Sequence, residues 1–144
     1  MAASKKDKAV EGASAKSALI FEMDNVALGA RQIRYEVLAG ILKEQGVALS
    51  PVLFSRYCLH PAPSAFMPEF LKTMKVKSAT PEQVVDRLTG ETVSRLMQKT
   101  TLVNGGLVKW MEAAVARGAV VACVSMLPQE SAEAVASHLG FERW

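Results

Sequence analysis

The fold of this chain is decided by a stretch near its beginning, ALIFEMDNVAL at residues 18–28. A short apolar run there meets polar residues at Glu22, which predicts a buried strand that enters a loop. A second run, AVVACV at residues 119–124, is apolar at every position, as expected for a central strand of a parallel sheet. Cys123 lies inside this run and is expected to behave as a small buried hydrophobe. The two runs predict a pair of parallel strands.

The segment between the two runs is predicted to be helical. Apolar residues recur at helical spacing from residue 31 to residue 45. Ser50 and Thr80 are each followed by proline, which is typical of a helix cap and first helical position. Ser64 is expected to cap another short helix. Residues 31–99 therefore look all-helical.

The order of elements indicates the fold class. Helices are predicted at residues 107–117 and 128–138, on either side of the second strand in sequence. Parallel strands must be joined by a crossover, and a βαβ unit with a large helical insertion satisfies this requirement. The chain is therefore predicted to be an α/β protein.

Composition narrows the class of protein further. Residues 1–17 are rich in Ala, Ser, Lys and Gly and are predicted to be a disordered tail. The formal charge of +3 is small and four lysines of this tail supply much of the basic character, so we expect no nucleic-acid partner. No apolar run reaches the roughly 18 residues that a membrane span needs. The two cysteines and the lack of a secretion signal favour a cytoplasmic location and no membrane contact.

Polar residues follow both predicted strands. Ligands of parallel sheets bind beyond the carboxyl ends of the strands, where Glu22, Asp24 and Asn25 follow one strand and Ser125 the other. Two acids at a spacing of two project to the same side of an extended backbone. One carboxylate can attack a phosphoryl group or bind a metal, and the other can act as acid and base. Loop acids are usually solvated and such a serine usually caps a helix, so this hypothesis needs all the residues together.

These segments resemble motifs of the haloacid dehalogenase superfamily. Residues 18–28 resemble its first motif, a hydrophobic strand followed by Asp-x-Asp-x-Thr or Val, and residues 120–126 resemble its second, a strand ending in Ser or Thr. Residues 104–118 resemble the turn and helix that precede the second motif in the phosphoglycolate-phosphatase-like branch. Residues 131–141 resemble the helix that follows, and residues 31–99 stand where that branch carries its helical cap.

The resemblance implies a partial Rossmann-like parallel sheet with an inserted α-helical cap. Residues 18–30 and 100–144 would form an incomplete core, and residues 31–99 the cap. In this family the first aspartate attacks phosphorus, the second is the acid and base, and its backbone carbonyl binds magnesium. The hydroxyl of the second motif holds the phosphoryl group.

The family roles carry over to five residues of this chain. Glu22 takes the nucleophile position, Asp24 the acid and base position, and Ser125 the phosphoryl contact. Glu22 and Asp24 would also bind the metal. The phosphate-binding residues would be Asn25, Ser125 and Met126.

Departures from the family pattern weaken the enzyme hypothesis. Glu22 replaces aspartate, and its extra methylene moves the carboxylate by roughly an ångström, which can cost about 100-fold in rate. The lysine and the acidic pair that the family carries further along are not found before Trp144. We therefore expect magnesium to bind weakly at most. Two strands alone leave open sheet edges, so we expect either a fragment, or a homo-oligomer or partner chain that covers them.

Three functions from different classes fit these observations. The first is a degenerate member of the superfamily that lacks full phosphatase activity and retains the fold for binding or assembly. The second is a magnesium-dependent phosphatase of a small phosphorylated metabolite, completed by a partner or by missing sequence. The third is a protein-interaction module in which residues 31–99 provide the binding surface.

Overall fold

The computed structural model describes residues 17–58, 62–99 and 104–141. In this part of the chain two strands, β1 (Ala18–Glu22) and β2 (Val120–Val124), form a parallel sheet. A π-helix at Met23–Ala27 follows β1. The α-helices are α1 (Ala30–Glu44), α2 (Pro51–Tyr57), α3 (Pro63–Thr73), α4 (Pro81–Met97), α5 (Leu107–Ala116) and α6 (Gln129–His138). The predicted α/β class, with its parallel sheet, is confirmed.

Local sequence explains where three of the six described α-helices begin. The side chain of Ser50 accepts a hydrogen bond from the backbone N–H of Leu53, and Thr80 forms a complete capping box with Gln83. The expected cap at Ser64 is wrong, because α3 begins one residue earlier at Pro63. Proline suits the first helical position, since its fixed φ fits the helix and its missing N–H has no partner there anyway.

The hydrophobic core lies mainly among the helices. The long helix α4 packs against both α1 and α3. Large side chains without solvent exposure fill the space between these helices, including Leu38, Leu42, Met67, Phe70 and Leu96. Complete burial of each such side chain stabilises the fold by about 1.5 to 3 kcal/mol. The same cluster continues towards the sheet.

One face of the sheet packs on the core and the other is uncovered. Leu19, Phe21 and Val121 pack against the core cluster. The alternate residues form an exposed apolar surface, with Ile20, Val120 and Val124 at 65%, 52% and 54% exposure. We call this surface the bare sheet face; it comprises Ala18, Ile20, Val120, Ala122 and Val124.

Cys123 corrects one expectation from the sequence. It is exposed rather than buried. The apolar run predicted a central strand, but in the described part of the chain β2 has a neighbouring strand on one side only. A strand at the edge of such a small sheet cannot be enclosed on every side.

Two sequence predictions fall partly or wholly outside these observations. The predicted tail at residues 1–17 lies outside the described residues except for Ser17. The division into a core and a cap at residues 31–99 stays a prediction. Among the described residues, no helix is both long enough and apolar enough to span a bilayer.

Candidate functional site

The ends of β1 and β2 lie side by side. The parallel register pairs Glu22 with Val124, the last residues of the two strands. The chain leaves β1 into the π-helix Met23–Ala27 and leaves β2 at Ser125. The sequence suggested a loop after β1, with an extended backbone that would turn both acids to one side. The helical turn instead buries Met23, Asp24 and Ala27.

Asp24 is the centre of this site. It is 0% exposed, and its carboxylate accepts two short hydrogen bonds from the residues that follow β2. The hydroxyl of Ser125 donates to Oδ1 at 2.6 Å, and the backbone N–H of Met126 donates to Oδ2 at 2.7 Å. The N–H of Leu127 donates to the Ser125 hydroxyl oxygen at 3.1 Å. The hydrogen-bond donors at the end of β2 are therefore already bound to an anionic side chain of the same protein, that of Asp24.

Arg34 supplies the opposite charge to this buried carboxylate. Its guanidinium Nη2 lies 3.8 Å from Oδ2 of Asp24, and its side chain is 16% exposed. Arg34 is not among the residues that the sequence predicted for the site, although its position carries a signal. Arg34 stands four residues after Ala30 and next to Ile33, so it falls on the apolar stripe of α1 that faces the core. A charge on a buried stripe indicates a partner in the interior.

Glu22 and Asn25 form a separate pair. The side-chain amide of Asn25 donates to Oε1 of Glu22 at 2.7 Å. The side-chain amide oxygen Oδ1 of Asn25 accepts from the backbone N–H of Arg31 at 3.1 Å, which holds the first turn of α1. Glu22 and Asp24 thus have different hydrogen-bond partners, and the expectation of an extended backbone between the two acids is wrong. The cause is the π-helix, which turns the chain between them.

The described residues do not form a fitting magnesium site. Across residues 17–58, 62–99 and 104–141, no cluster of three or more His, Cys, Asp or Glu side chains could hold a metal ion. Both oxygens of Asp24 already accept hydrogen bonds. Magnesium requires a near-octahedral set of oxygen ligands.

The predicted site residues form two hydrogen-bonded groups. Asp24, Ser125 and Met126 are brought together, and Glu22 is bonded to Asn25. All five lie at the carboxyl end of the sheet or just beyond it. Their catalytic, phosphate-binding and metal-binding roles stay predictions.

The chain has a parallel strand pair with a helical block between its strands and a helix on each side of β2 in sequence. Its overall architecture matches a haloacid dehalogenase-like fold. The chain is similar to a solved structure from Thermotoga maritima assigned as a β-phosphoglucomutase, an enzyme of that superfamily. The TM-score is 0.67 at 20% sequence identity, and the match covers 88% of this chain. At this identity the likeness establishes the fold.

The similarity covers a smaller share of the Thermotoga maritima protein than of this chain. The chain spans 57% of the Thermotoga maritima protein. No protein-family model matches the sequence, and no curated protein matches it.

Proposed function

We propose that this protein is a degenerate haloacid dehalogenase-like protein without full phosphatase activity, which retains the fold for binding or assembly. One observation carries the proposal. The buried carboxylate of Asp24 accepts hydrogen bonds from the hydroxyl of Ser125 and the N–H of Met126, the donors that would otherwise hold a phosphoryl group.

The energetics of this arrangement oppose phosphate binding. A hydrogen bond to a charged group contributes roughly 1.5 to 3 kcal/mol, and two such bonds would be lost if phosphate displaced Asp24. The phosphate would also bring negative charge next to a buried carboxylate, and like charges in a poorly solvated site repel strongly. Asp24 bonded in this way is an anchor between the two strand ends rather than a proton donor.

Two further observations support the proposal. Glu22 at the nucleophile position is longer than aspartate and is bonded to Asn25. The described residues hold no fitting metal site, so we propose that magnesium binds weakly at most. The bare sheet face, an exposed apolar surface, supports the assembly half of the proposal.

Phosphate release from a panel of small phosphoesters tests the proposal. We expect no turnover above the protein-free rate, with or without magnesium. The variant Glu22→Asp restores the usual nucleophile length, and we expect it to stay inactive because Asp24 still occupies the donors. Magnesium-dependent turnover by the wild type that is lost in Asp24→Asn would overturn the proposal. Turnover gained by Glu22→Asp alone would show that nucleophile length, and not Asp24, limits activity.

A phosphatase of a small phosphorylated metabolite is the second candidate. It is favoured by the fold that the chain shares with a protein assigned as a β-phosphoglucomutase. In this case the missing lysine and acids come from a partner chain or from further sequence, and Asp24 releases Ser125 when substrate arrives. The same assay, repeated with isolated native assemblies, distinguishes the two candidates.

A further inference from the structure

The connection between α3 and α4 lines a surface groove of about 430 Å³. Residues from the second half of α3 and the first residue of α4 complete the groove. We call it the lysine groove, and its lining residues are Pro68, Leu71, Lys72, Lys75, Val76, Lys77, Ala79 and Pro81. None of these residues belongs to the site around Asp24, so the groove is separate from that site.

Positive charge is concentrated at the lysine groove. Lys72, Lys75 and Lys77 are all exposed, and in the described part of the chain no acidic residue lines the groove. None of the three lysines forms an ion pair with another described residue. By contrast, Arg87 and Arg95 of α4 each pair with carboxylates of the same chain. The ammonium groups at the groove are therefore free to pair with an anionic partner.

The backbone of Lys75 adopts a conformation that favours glycine. Its φ is 57°, and among the described residues no other residue except glycine has a positive φ. Lys75 directly follows the cap of α3, where the N–H of Val76 donates to the carbonyl oxygen of Leu71 at 3.0 Å. Three other helices have glycine with positive φ directly after the cap, namely Gly46, Gly118 and Gly140.

A lysine in this conformation strains the backbone. The left-handed region brings Cβ too close to a carbonyl oxygen, and glycine avoids this contact because it has no Cβ. Residues held in such conformations are concentrated at functional sites. Lys75 thus adds a charge to the groove at some cost to stability. This backbone observation supports a role in binding independently of the number of lysines.

The surface between the lysines is apolar. Pro68 is exposed, and Val76, Ala79 and Pro81 are half-buried, so hydrocarbon atoms are accessible in the groove. A partner that fits must therefore combine acidic groups with an apolar side chain. We propose that the lysine groove binds a short acidic segment of a partner protein. Its carboxylates pair with the three lysines, and its apolar side chain packs on Val76 and Pro81.

Other anionic partners fit the groove less well. Single-stranded nucleic acid is bound by aromatic side chains that stack on bases, and in the described part of the chain no aromatic residue lines the groove. Membrane surfaces are bound by apolar side chains that enter the lipid. None of the large, exposed apolar residues in the described ranges lies at the groove. RNA and anionic vesicles therefore serve as comparison probes.

Calorimetric titration of the full chain with the peptide acetyl-Asp-Glu-Leu-Phe-Glu-Asp-amide tests the partner class. One comparison peptide replaces the acids by their amides, and another replaces the two apolar residues by serine. We expect saturable binding of the acidic peptide that is at least about tenfold tighter than that of either comparison peptide and that weakens at high salt.

Three results of this titration would overturn the proposal. The first is no saturable binding of the acidic peptide. The second is equal binding of either comparison peptide, because charge or apolar contact alone would then explain it. The third is tighter binding of a uridine oligonucleotide or of phosphatidylserine vesicles than of the acidic peptide.

The variant Lys75→Gly separates binding from folding. Glycine suits a φ of 57°, so we expect a melting temperature about 2 to 4 °C higher than that of the wild type. We expect the acidic peptide to bind about threefold more weakly, because one ammonium group is lost. Lys75→Arg keeps the charge and should bind as the wild type does. Unchanged affinity in Lys75→Gly would contradict the proposal.

Neutral variants of the other two lysines test the position of the site. We expect Lys72→Gln and Lys77→Gln each to bind the acidic peptide about threefold more weakly. Lys109→Gln removes the same charge from an exposed position of α5 and should bind as the wild type does. An equal loss in Lys109→Gln would mean that the peptide responds to net charge alone, and this would overturn the proposal.

The lysine groove goes beyond the proposed function, and the two proposals fail in different ways. Phosphoester turnover by the wild type would overturn the proposed function, whatever the acidic peptide does. Failure of the acidic peptide to bind, in a protein that also lacks turnover, would overturn the groove proposal alone.

Discussion

Asp24 occupies the hydrogen-bond donors of the candidate site and also links two distant segments of the fold. Its carboxylate joins the π-helix after β1 to the loop after β2, which are 101 residues apart in sequence. The strand ends are thus tied by side-chain and backbone donors as well as by the sheet ladder. Removing a charge from such a buried arrangement leaves donors without an acceptor.

We predict that Asp24→Asn lowers the free energy of unfolding by about 2 to 4 kcal/mol. An asparagine offers one acceptor oxygen, so either Ser125 or Met126 would face an NH₂ group, and Arg34 would lose its charged partner. Urea denaturation followed by circular dichroism measures the change.

Glu22→Gln is the matched control for this prediction. It makes the same chemical change two residues away, at a partly exposed side chain whose Oε1 can still accept from Asn25. We expect a change within about 0.5 kcal/mol. Equal losses in the two variants would contradict a structural role specific to Asp24.

At the scale of elements, the sequence predicted what local rules control. The start of α2 follows from Ser50, and that of α4 from Thr80 and Gln83, because caps depend on neighbours within four residues. The apolar spacing of α1 predicted a helix within one residue of its observed bounds, Ala30–Glu44. Local chemistry is enough for such elements.

Other features of the structure depend on contacts between segments that are distant in sequence, and the sequence did not predict them. The π-helix after β1 buries Asp24 against Ser125, and neither residue alone signals that contact. The burial of Cys123 was misjudged since an apolar run does not tell how many strands flank it. Arg34 stood on the buried stripe of α1, so its interior position could have been inferred, but its partner could not.

The contact between α1 and α4 carries an ionic link with a testable pH dependence. Arg87 of α4 donates to both carboxylate oxygens of Glu44 in α1, at 2.6 and 3.1 Å, and also pairs with Glu91. This hydrogen bonding to Arg87 lowers the pKa of Glu44 below its ordinary value of 4.5. A lowered pKa in the folded state stabilises the fold above the ordinary value, and this contribution disappears as pH falls through the folded pKa.

We predict that Arg87→Gln destabilises the protein slightly at pH 7 and that the difference from wild type shrinks towards pH 3. Protonated Glu44 no longer favours the guanidinium, so in acid the wild type also lacks the ion pair that the variant lacks at every pH. Thermal unfolding across this pH range measures the difference. Arg56→Gln is the control, since Arg56 lies over the ring of Tyr57 and its variant should differ from wild type by the same amount at both pH values. A difference for Arg87→Gln that stays constant with pH would contradict the prediction.

At the scale of the whole molecule, one face of the sheet is left without cover in the described structure. The helices expose single large apolar residues such as Val52 and Trp110, whereas the bare sheet face presents Ile20, Val120 and Val124 side by side to solvent. Exposed apolar residues scattered singly are ordinary, but here they are neighbours on paired strands. Contiguous surface of this kind is typical of an interface.

We predict that the chain self-associates through the bare sheet face. A second copy would present the same apolar surface, as two-fold interfaces require. Analytical ultracentrifugation over a wide concentration range should show a dimer that dissociates on dilution.

Ile20→Lys and Val124→Lys place charges at the centre and end of this surface. Because both sites are exposed in the single chain, these variants should fold and sediment as monomers. Val52→Lys, at 76% exposure on α2, adds the same charge elsewhere and should associate as the wild type does. A wild type that stays monomeric at every concentration would contradict the prediction. Equal weakening of association by Val52→Lys and Ile20→Lys would contradict it too, because the apolar contact would then not lie on the sheet.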